Sequence, residues 1–312
     1  MIEIPTVSIL VPTYRHVSFI GDCLDSILQQ SLIEECEVLV GEDGSDDGTR
    51  EICMRYMNAH PGRIRLFLND RSRVIQVNGV PTGRRNLMDL IVAARGRYLA
   101  FCEGDDRWCD PGKLERQVML LEKHPEAVGS YHSTEVIDEL GNSEGQAFRE
   151  PLPGIYDTSN IASTLSPFHT SSLVCRPIAD LIDPPRWTWS VGSFDMALFG
   201  LLACQGPLLL SDGRMSAYRK HGTGITRHVF HRGMAMHVQR MVIWARLGGY
   251  CSRWPTSSLE GALREHIGQV EREGGRRLAI RVWANALWKA APHSLMRPLM
   301  QARLLLRACR GR

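Results

Sequence analysis

Three carboxylates stand within four positions in the segment Leu99-Ala-Phe-Cys-Glu-Gly-Asp-Asp-Arg-Trp-Cys-Asp110. They follow an apolar run, Tyr98 to Cys102, that has the length and composition of a buried strand. Glu103, Asp105 and Asp106 are therefore expected at a strand's carboxyl end, where ligands bind in open α/β sheets. Like charges this close repel unless a cation sits among them. An all-oxygen set suits Mg²⁺ or Mn²⁺, and Mg²⁺ is commonly held by one or two carboxylates plus substrate phosphates. The alternative is an acidic surface turn with no ligand.

Other segments pair with this one. Val11-Pro-Thr-Tyr-Arg15 leaves a first apolar strand, and Gly41-Glu-Asp-Gly-Ser-Asp-Asp-Gly-Thr49 leaves a second. The latter is too acidic to cradle a phosphate, but a carboxylate such as Asp43 can accept from a base imide or a ribose hydroxyl. Ser45 and Asp47 equally suit a turn and helix cap. Asp195 opens an apolar helical stretch running to Gly206, where a carboxylate in the first turn could simply favour the helix dipole. His221 ends Met215-Ser-Ala-Tyr-Arg-Lys-His221; a lone histidine is more often structural than catalytic.

The elements that must position these groups alternate through the first 135 residues. Strands are expected at 7–11, 37–40, 64–68 and 98–102, with helices at about 17–30, 48–60, 83–94 and 111–124 and a polar loop at 69–82. That alternation predicts parallel βαβ units in a three-layer sheet. Residues 136–190 carry weaker signals. A helix is expected at 194–204, a strand at 207–210 and mainly helix from about 227.

The chain has 312 residues, 44% hydrophobic and 23% charged, which is an ordinary globular composition. Nine cysteines without a Cys-x-x-Cys pair indicate neither a disulfide framework nor a zinc site. The amino terminus lacks the basic and apolar regions of a signal peptide, and no run approaches the roughly 18 apolar residues of a membrane span. A cytoplasmic location, with reduced thiols, is the expectation.

In order and spacing, Val7-Ser-Ile-Leu-Val-Pro-Thr-Tyr14, Val40-Gly-Glu-Asp-Gly-Ser-Asp-Asp-Gly-Thr49, Gly83-Arg-Arg-Asn86 and Gly96-Arg-Tyr-Leu-Ala-Phe-Cys-Glu-Gly-Asp-Asp-Arg-Trp108 resemble glycosyltransferase family 2 over roughly residues 5–225. The resemblance implies a GT-A fold: α/β, Rossmann-like, with a mostly parallel sheet flanked by helices. It implies a domain at 1–225, divided into a nucleotide-sugar half (1–110) and an acceptor half (111–225), followed by a basic helical extension at 226–312. It further implies an inverting enzyme that moves a sugar from a nucleotide-diphosphate donor, most commonly UDP-linked, to a glycan or polyprenyl-diphosphate-linked acceptor, as in bacterial surface polysaccharide synthesis.

By position, Pro12, Thr13 and Tyr14 match nucleoside contacts, and Asp43 matches the base-binding carboxylate. Arg85 matches the basic position near the nucleotide. Asp105 and Asp106 match the ribose- and metal-binding carboxylates, with Glu103 where an Asp is usual, so Mn²⁺ or Mg²⁺ is implied at these three. Glu42 likewise replaces the first Asp of an Asp-Asp pair. Asp195 matches the catalytic base, and Arg219 and His221 match groups that approach the donor diphosphate or its metal. A non-catalytic scaffold would be expected to lack Asp195 or the Asp105/Asp106 pair. A GT-A nucleotidyltransferase would carry a Gly-rich basic signature after the first strand, and Pro12-Thr-Tyr-Arg-His16 has no glycine.

Charge divides the chain. Residues 274–312 hold nine Arg/Lys and no Asp or Glu, whereas the remainder holds 28 basic against 34 acidic residues. Trp283 and Trp288 lie among those basic residues. A basic amphipathic segment of this kind suits an anionic membrane surface, here the inner face of the cytoplasmic membrane. It equally suits a helix docked on the catalytic domain. No nucleic-acid recognition motif accompanies the charge.

Overall fold

The structure, a computed structural model, describes residues 4–77, 79–150, 152–161, 166–222 and 233–251, together with 268 and 272. Two compact units form. One comprises residues 1–155, 167–185 and 206–222, the other 156–166, 186–205 and 223–312.

The first unit is built on the expected βαβ alternation: β1 (Val7–Thr13), α1 (Ile20–Leu28), β2 (Cys36–Glu42), α2 (Thr49–Ala59), β3 (Ile64–Leu68), α3 (Arg84–Ala93), β4 (Tyr98–Phe101), β5 (Arg107–Trp108) and α4 (Lys113–Lys123). Strands β1 and β2 are parallel, as are β2 and β3, and β1 and β4. β2 is buried along its whole length and β1 at all but Pro12. Both faces of a parallel sheet are covered, which is why these strands read as unbroken apolar runs. Helix α1 buries Ile20, Cys23, Leu24 and Ile27, one stripe at helical spacing, against Val7, Ile9, Val11, Val38 and Val40.

Beyond β4 the sheet continues through β6 (Gly129–Ile137), β7 (Ser143–Ala147), β8 (Val174–Cys175) and β9 (Leu208–Arg219). The spatial order is β9-β6-β8-β4-β1-β2-β3, with β5 on β9 and β7 on β6. From β1 the chain therefore steps outward to β2 and β3, then returns to the far side of β1 as β4. That reversal opens a crevice at the carboxyl ends of β1 and β4.

Two elements differ from expectation. The 69–82 loop carries a hairpin, Ile75–Val77 paired antiparallel with Val80–Thr82. Its sequence signal is Asn78-Gly79, with Gly79 at φ +79°. Strand β9 runs for 12 residues, not four. Its apolar pattern is broken by Ser211-Asp-Gly-Arg214, where Gly213 adopts φ +106° and the register with β6 shifts.

In the second unit, α5 (Phe194–Gln205) is buried on every side from Met196 to Ala203. A helix apolar all round belongs in a core. Helix α6 (Gly233–Tyr250) packs on it so closely that a Cβ on Gly200 would lie 2.3 Å from Leu247 Cδ1. No helix among the described residues is long and apolar enough to cross a membrane. The basic segment 274–312, with its expected membrane surface, lies outside the described residues.

Candidate active site

The carboxyl ends of three strands are tied together by backbone hydrogen bonds. Cys102 N donates to Leu10 O at 3.0 Å, Gly104 N to Pro12 O at 3.0 Å, and Asp43 N to Thr13 O at 3.1 Å. Glycine is required at 104, because a Cβ there would lie 2.5 Å from Thr13 Oγ1. Pro12, Thr13, Asp43 and the Glu103–Asp106 turn consequently share one end of the sheet.

On the β1–β2 side, Asp43 is 4% exposed, and burial pushes its carboxyl up against the pull of Arg71. Arg71, from the short turn after β3, pairs with Asp43 and sets its guanidinium carbon 3.7 Å from the Tyr14 ring centre. Asp43 and Arg85 line one small pocket with Asn69, Asp70, Arg73 and Asp89, and Arg85 Nε lies 3.0 Å from Asp89 Oδ1. Asn86 braces that pocket: its Nδ2 donates to Gly41 O at 2.7 Å and its Oδ1 accepts from Asn69 Nδ2 at 2.9 Å. Glu42 is fully buried, accepting from Arg50 Nε and Ser45 N, both at 2.6 Å. It holds the acidic turn in place.

The three carboxylates after β4 divide into two groups. Asp105 faces histidines: His221 Nε2 lies 2.9 Å and His16 Nε2 3.6 Å from the same oxygen, Oδ2. Burial draws the Asp105 carboxyl upward, but the two imidazoles outweigh it and hold it below the usual carboxylate range. Burial also keeps the His16 imidazole below its ordinary value, against the attraction of Asp105.

Asp106 turns the other way and groups with Glu103 and His169. Its Oδ1 accepts from Arg219 N at 3.0 Å. Among the described residues its Oδ2 has no hydrogen-bond partner, and it lies 3.5 Å from His169 Nδ1. Burial, with the charges of Asp105 and Glu103, pushes the Asp106 carboxyl well up. His169, brought down to about 4 by burial, stacks on Tyr218 at 4.5 Å between ring centres.

Arg219 binds the two groups together. It is 3% exposed; its Nε donates to Asp105 O at 3.0 Å, its Nη2 to Asp22 Oδ2 at 3.2 Å and its Nη1 to Glu139 O at 3.2 Å. Asp195 stands in the first turn of α5, half-buried, in the second unit.

Sequence reasoning missed His16, Arg71 and His169. His16 adjoins the Val11–Arg15 segment already singled out, and its position three residues after Thr13 was the available signal. Arg71 and His169 come from segments without periodicity, and nothing local marks them.

The residues present fit a divalent cation. His16, Asp105 and His221 offer two imidazole nitrogens and a carboxylate oxygen, all within 4.8 Å of one another. Imidazole plus carboxylate is an established ligand chemistry. Glu103, Asp106 and His169 form a second group with ligand atoms equally close.

Comparison with known proteins agrees with this architecture. The sequence pattern described as Glycosyl transferase family 2 matches residues 8–171. An uncharacterized protein of Mycobacterium tuberculosis is 32% identical over 219 residues, which cover 70% of this chain and 60% of that protein. The chain thus matches less than two thirds of that relative's length. A glycosyltransferase named for teichuronic acid biosynthesis, TuaG of Bacillus subtilis, is 32% identical over 117 residues, or 38% of this chain and 42% of TuaG. The crystal structure of S. aureus TarS 1–349 in complex with UDP-GlcNAc aligns with a TM-score of 0.64 at 18% identity, covering 90% of this chain and 79% of that one. That likeness is one of fold.

Proposed function

The chain belongs to glycosyltransferase family 2, and from that premise we propose that it transfers a sugar from a UDP-sugar to a hydroxyl of a glycan or lipid-linked acceptor, with inversion. One observation carries the reading. Asp43 shares a pocket with Arg85 and is joined through Arg71 to Tyr14, at the end of the sheet that also carries the Asp105–His221 pair. The first group suits a nucleoside: an aromatic face to stack on and a carboxylate to accept from a base imide, both engaged by Arg71 in this structure, with the Arg85 guanidinium nearby. The second suits the metal-bound diphosphate. UDP is put first because TarS carries a UDP-sugar, and a polysaccharide acceptor because TuaG is named for one.

Asp105 and His221 would hold Mn²⁺ or Mg²⁺, which when bound neutralises charge developing on the departing diphosphate. Arg219 acts from behind. Its contacts to the Asp105 carbonyl and the Asp106 carboxylate fix the turn that presents Asp105. Asp195 would accept the proton of the acceptor hydroxyl as its oxygen attacks the anomeric carbon opposite the leaving group. A positioned base of this kind contributes about 10²–10⁴ in rate. Inversion follows from that single in-line displacement. The basic 274–312 segment would dock the enzyme on an anionic membrane, near a lipid-linked acceptor.

Calorimetric titration with UDP, GDP and dTDP, each with Mn²⁺ and with EDTA, tests the donor site. Metal-dependent binding of UDP is expected; a folded sample that binds none of the three contradicts the reading. Asp195→Asn should keep UDP affinity and lose about 10²–10⁴ in turnover. Unchanged turnover would remove Asp195 from the chemistry.

A further inference from the structure

We propose that His16 is a third protein ligand of the cation, beside Asp105 and His221, and that the resulting two-nitrogen, one-oxygen set selects Mn²⁺ over Mg²⁺. The inference rests on the donor-site reading above and adds both a residue and a metal preference to it.

The geometry is convergent. His16 Nε2 and His221 Nε2 approach the same oxygen, Asp105 Oδ2, at 3.6 and 2.9 Å. The three ligand atoms lie within 4.8 Å of one another. Atoms bound to one ion at about 2.1–2.2 Å sit at most roughly 4.4 Å apart, so closure needs only a small shift. The His16 and His221 rings meet edge to face, with centres 6.0 Å apart.

His16 is also held in a ligating posture. Its Nδ1 lies 3.2 Å from Thr13 Oγ1. With Nδ1–H donating to that hydroxyl, the lone pair stands on Nε2, the nitrogen facing Asp105. An orienting partner on the second ring nitrogen is the usual companion of a metal-bound histidine. The backbone is bent to bring it there. Arg15 adopts φ +55°, a left-handed conformation rare for a side-chain-bearing residue, and its N donates to Ser45 Oγ at 2.9 Å. His16 N in turn donates to Thr49 Oγ1 at 2.9 Å.

The chemistry then sets the metal. Mg²⁺ is a hard ion that takes oxygen ligands in near-ideal octahedral geometry, so two imidazole nitrogens disfavour it relative to Mn²⁺, a transition-metal ion with measurable affinity for mixed nitrogen and oxygen sites. Glu103 and Asp106, which would complete an all-oxygen set with Asp105, belong to the other group.

The test is pulsed EPR of the full-length protein with Mn²⁺ and UDP, reading ¹⁴N couplings, alongside Mn²⁺ and Mg²⁺ affinities of wild type and His16→Asn. The expected wild-type spectrum shows two imidazole nitrogens on the metal and needs no variant. His16→Asn should show one, with Mn²⁺ affinity reduced about tenfold or more and Mg²⁺ affinity little changed. A wild-type spectrum with a single imidazole, unaltered in His16→Asn, would overturn the inference and leave the donor-site reading intact. Absence of any UDP-dependent Mn²⁺ binding would overturn both.

Discussion

Asp105 and Asp106 are neighbours in sequence and opposites in environment. The Asp105 side chain is 19% exposed and faced by two histidines, which hold it ionised. The Asp106 side chain is 1% exposed, hydrogen-bonded to a backbone N–H, and pushed toward its neutral form. One carboxylate is presented to the crevice, and the other is committed to the turn that presents it. A carboxylate cluster is therefore not one site: each side chain takes its chemistry from whatever distant segment meets it. For Asp105 that is His16 and the end of β9; for Asp106 it is Arg219 and the His169 turn.

The largest expected effect comes from neutralising each in turn. Asp105→Asn should weaken UDP-dependent Mn²⁺ binding about 100-fold, and Asp106→Asn by less than about tenfold. Both are measurable by calorimetry, and a reversed ranking would break the comparison. Stability should rank the other way. Asp106→Ala leaves Arg219 N without its buried acceptor and should cost about 1–3 kcal/mol in urea unfolding, whereas Asp106→Asn, which keeps an oxygen there, should cost about 1 kcal/mol or less. Equal losses for the two variants would mean that the Arg219 contact does not hold the turn.

A pH-dependent effect bears on the Asp106 side. Its His169 turn is tied down by Gln117, whose Nε2 donates to Ser172 O at 2.9 Å and whose Oε1 accepts from Lys113 Nζ at 2.8 Å. Lys113 is fully buried, and burial lowers its ammonium to about 7 from 10.5. The folded state therefore binds fewer protons than the unfolded state between those values, and this group's contribution to stability rises with pH, by up to about 1.4 kcal/mol per pH unit. Lys113→Met should remove that dependence. Its stability advantage over wild type should be greatest near pH 7 and shrink toward pH 10. An advantage constant across that range would show that Lys113 is charged in the fold.

The parallel half of the sheet was legible because strands buried on both faces read as unbroken apolar runs, each ended by turn residues. β3 falls at the expected residues, and β1, β2 and β4 within a few. The strand-end position of Glu103, Asp105 and Asp106 was legible for the same reason. Which way each of them turns was not, because Arg219, His221 and His169 arrive from segments far along the chain. β9 was read short because its bulge interrupts the apolar pattern with Ser211-Asp-Gly-Arg214. The 75–82 hairpin had its Asn-Gly signal, outweighed by the polarity around it. The role proposed for Asp195 rests on resemblance alone, since a carboxylate in a helix first turn has an ordinary electrostatic explanation.

The most direct measurement is anomalous diffraction at the manganese edge from crystals grown with UDP and Mn²⁺. A single peak is expected within about 2.5 Å of Asp105 Oδ2 and His221 Nε2. A peak between Glu103 and Asp106 instead would contradict it.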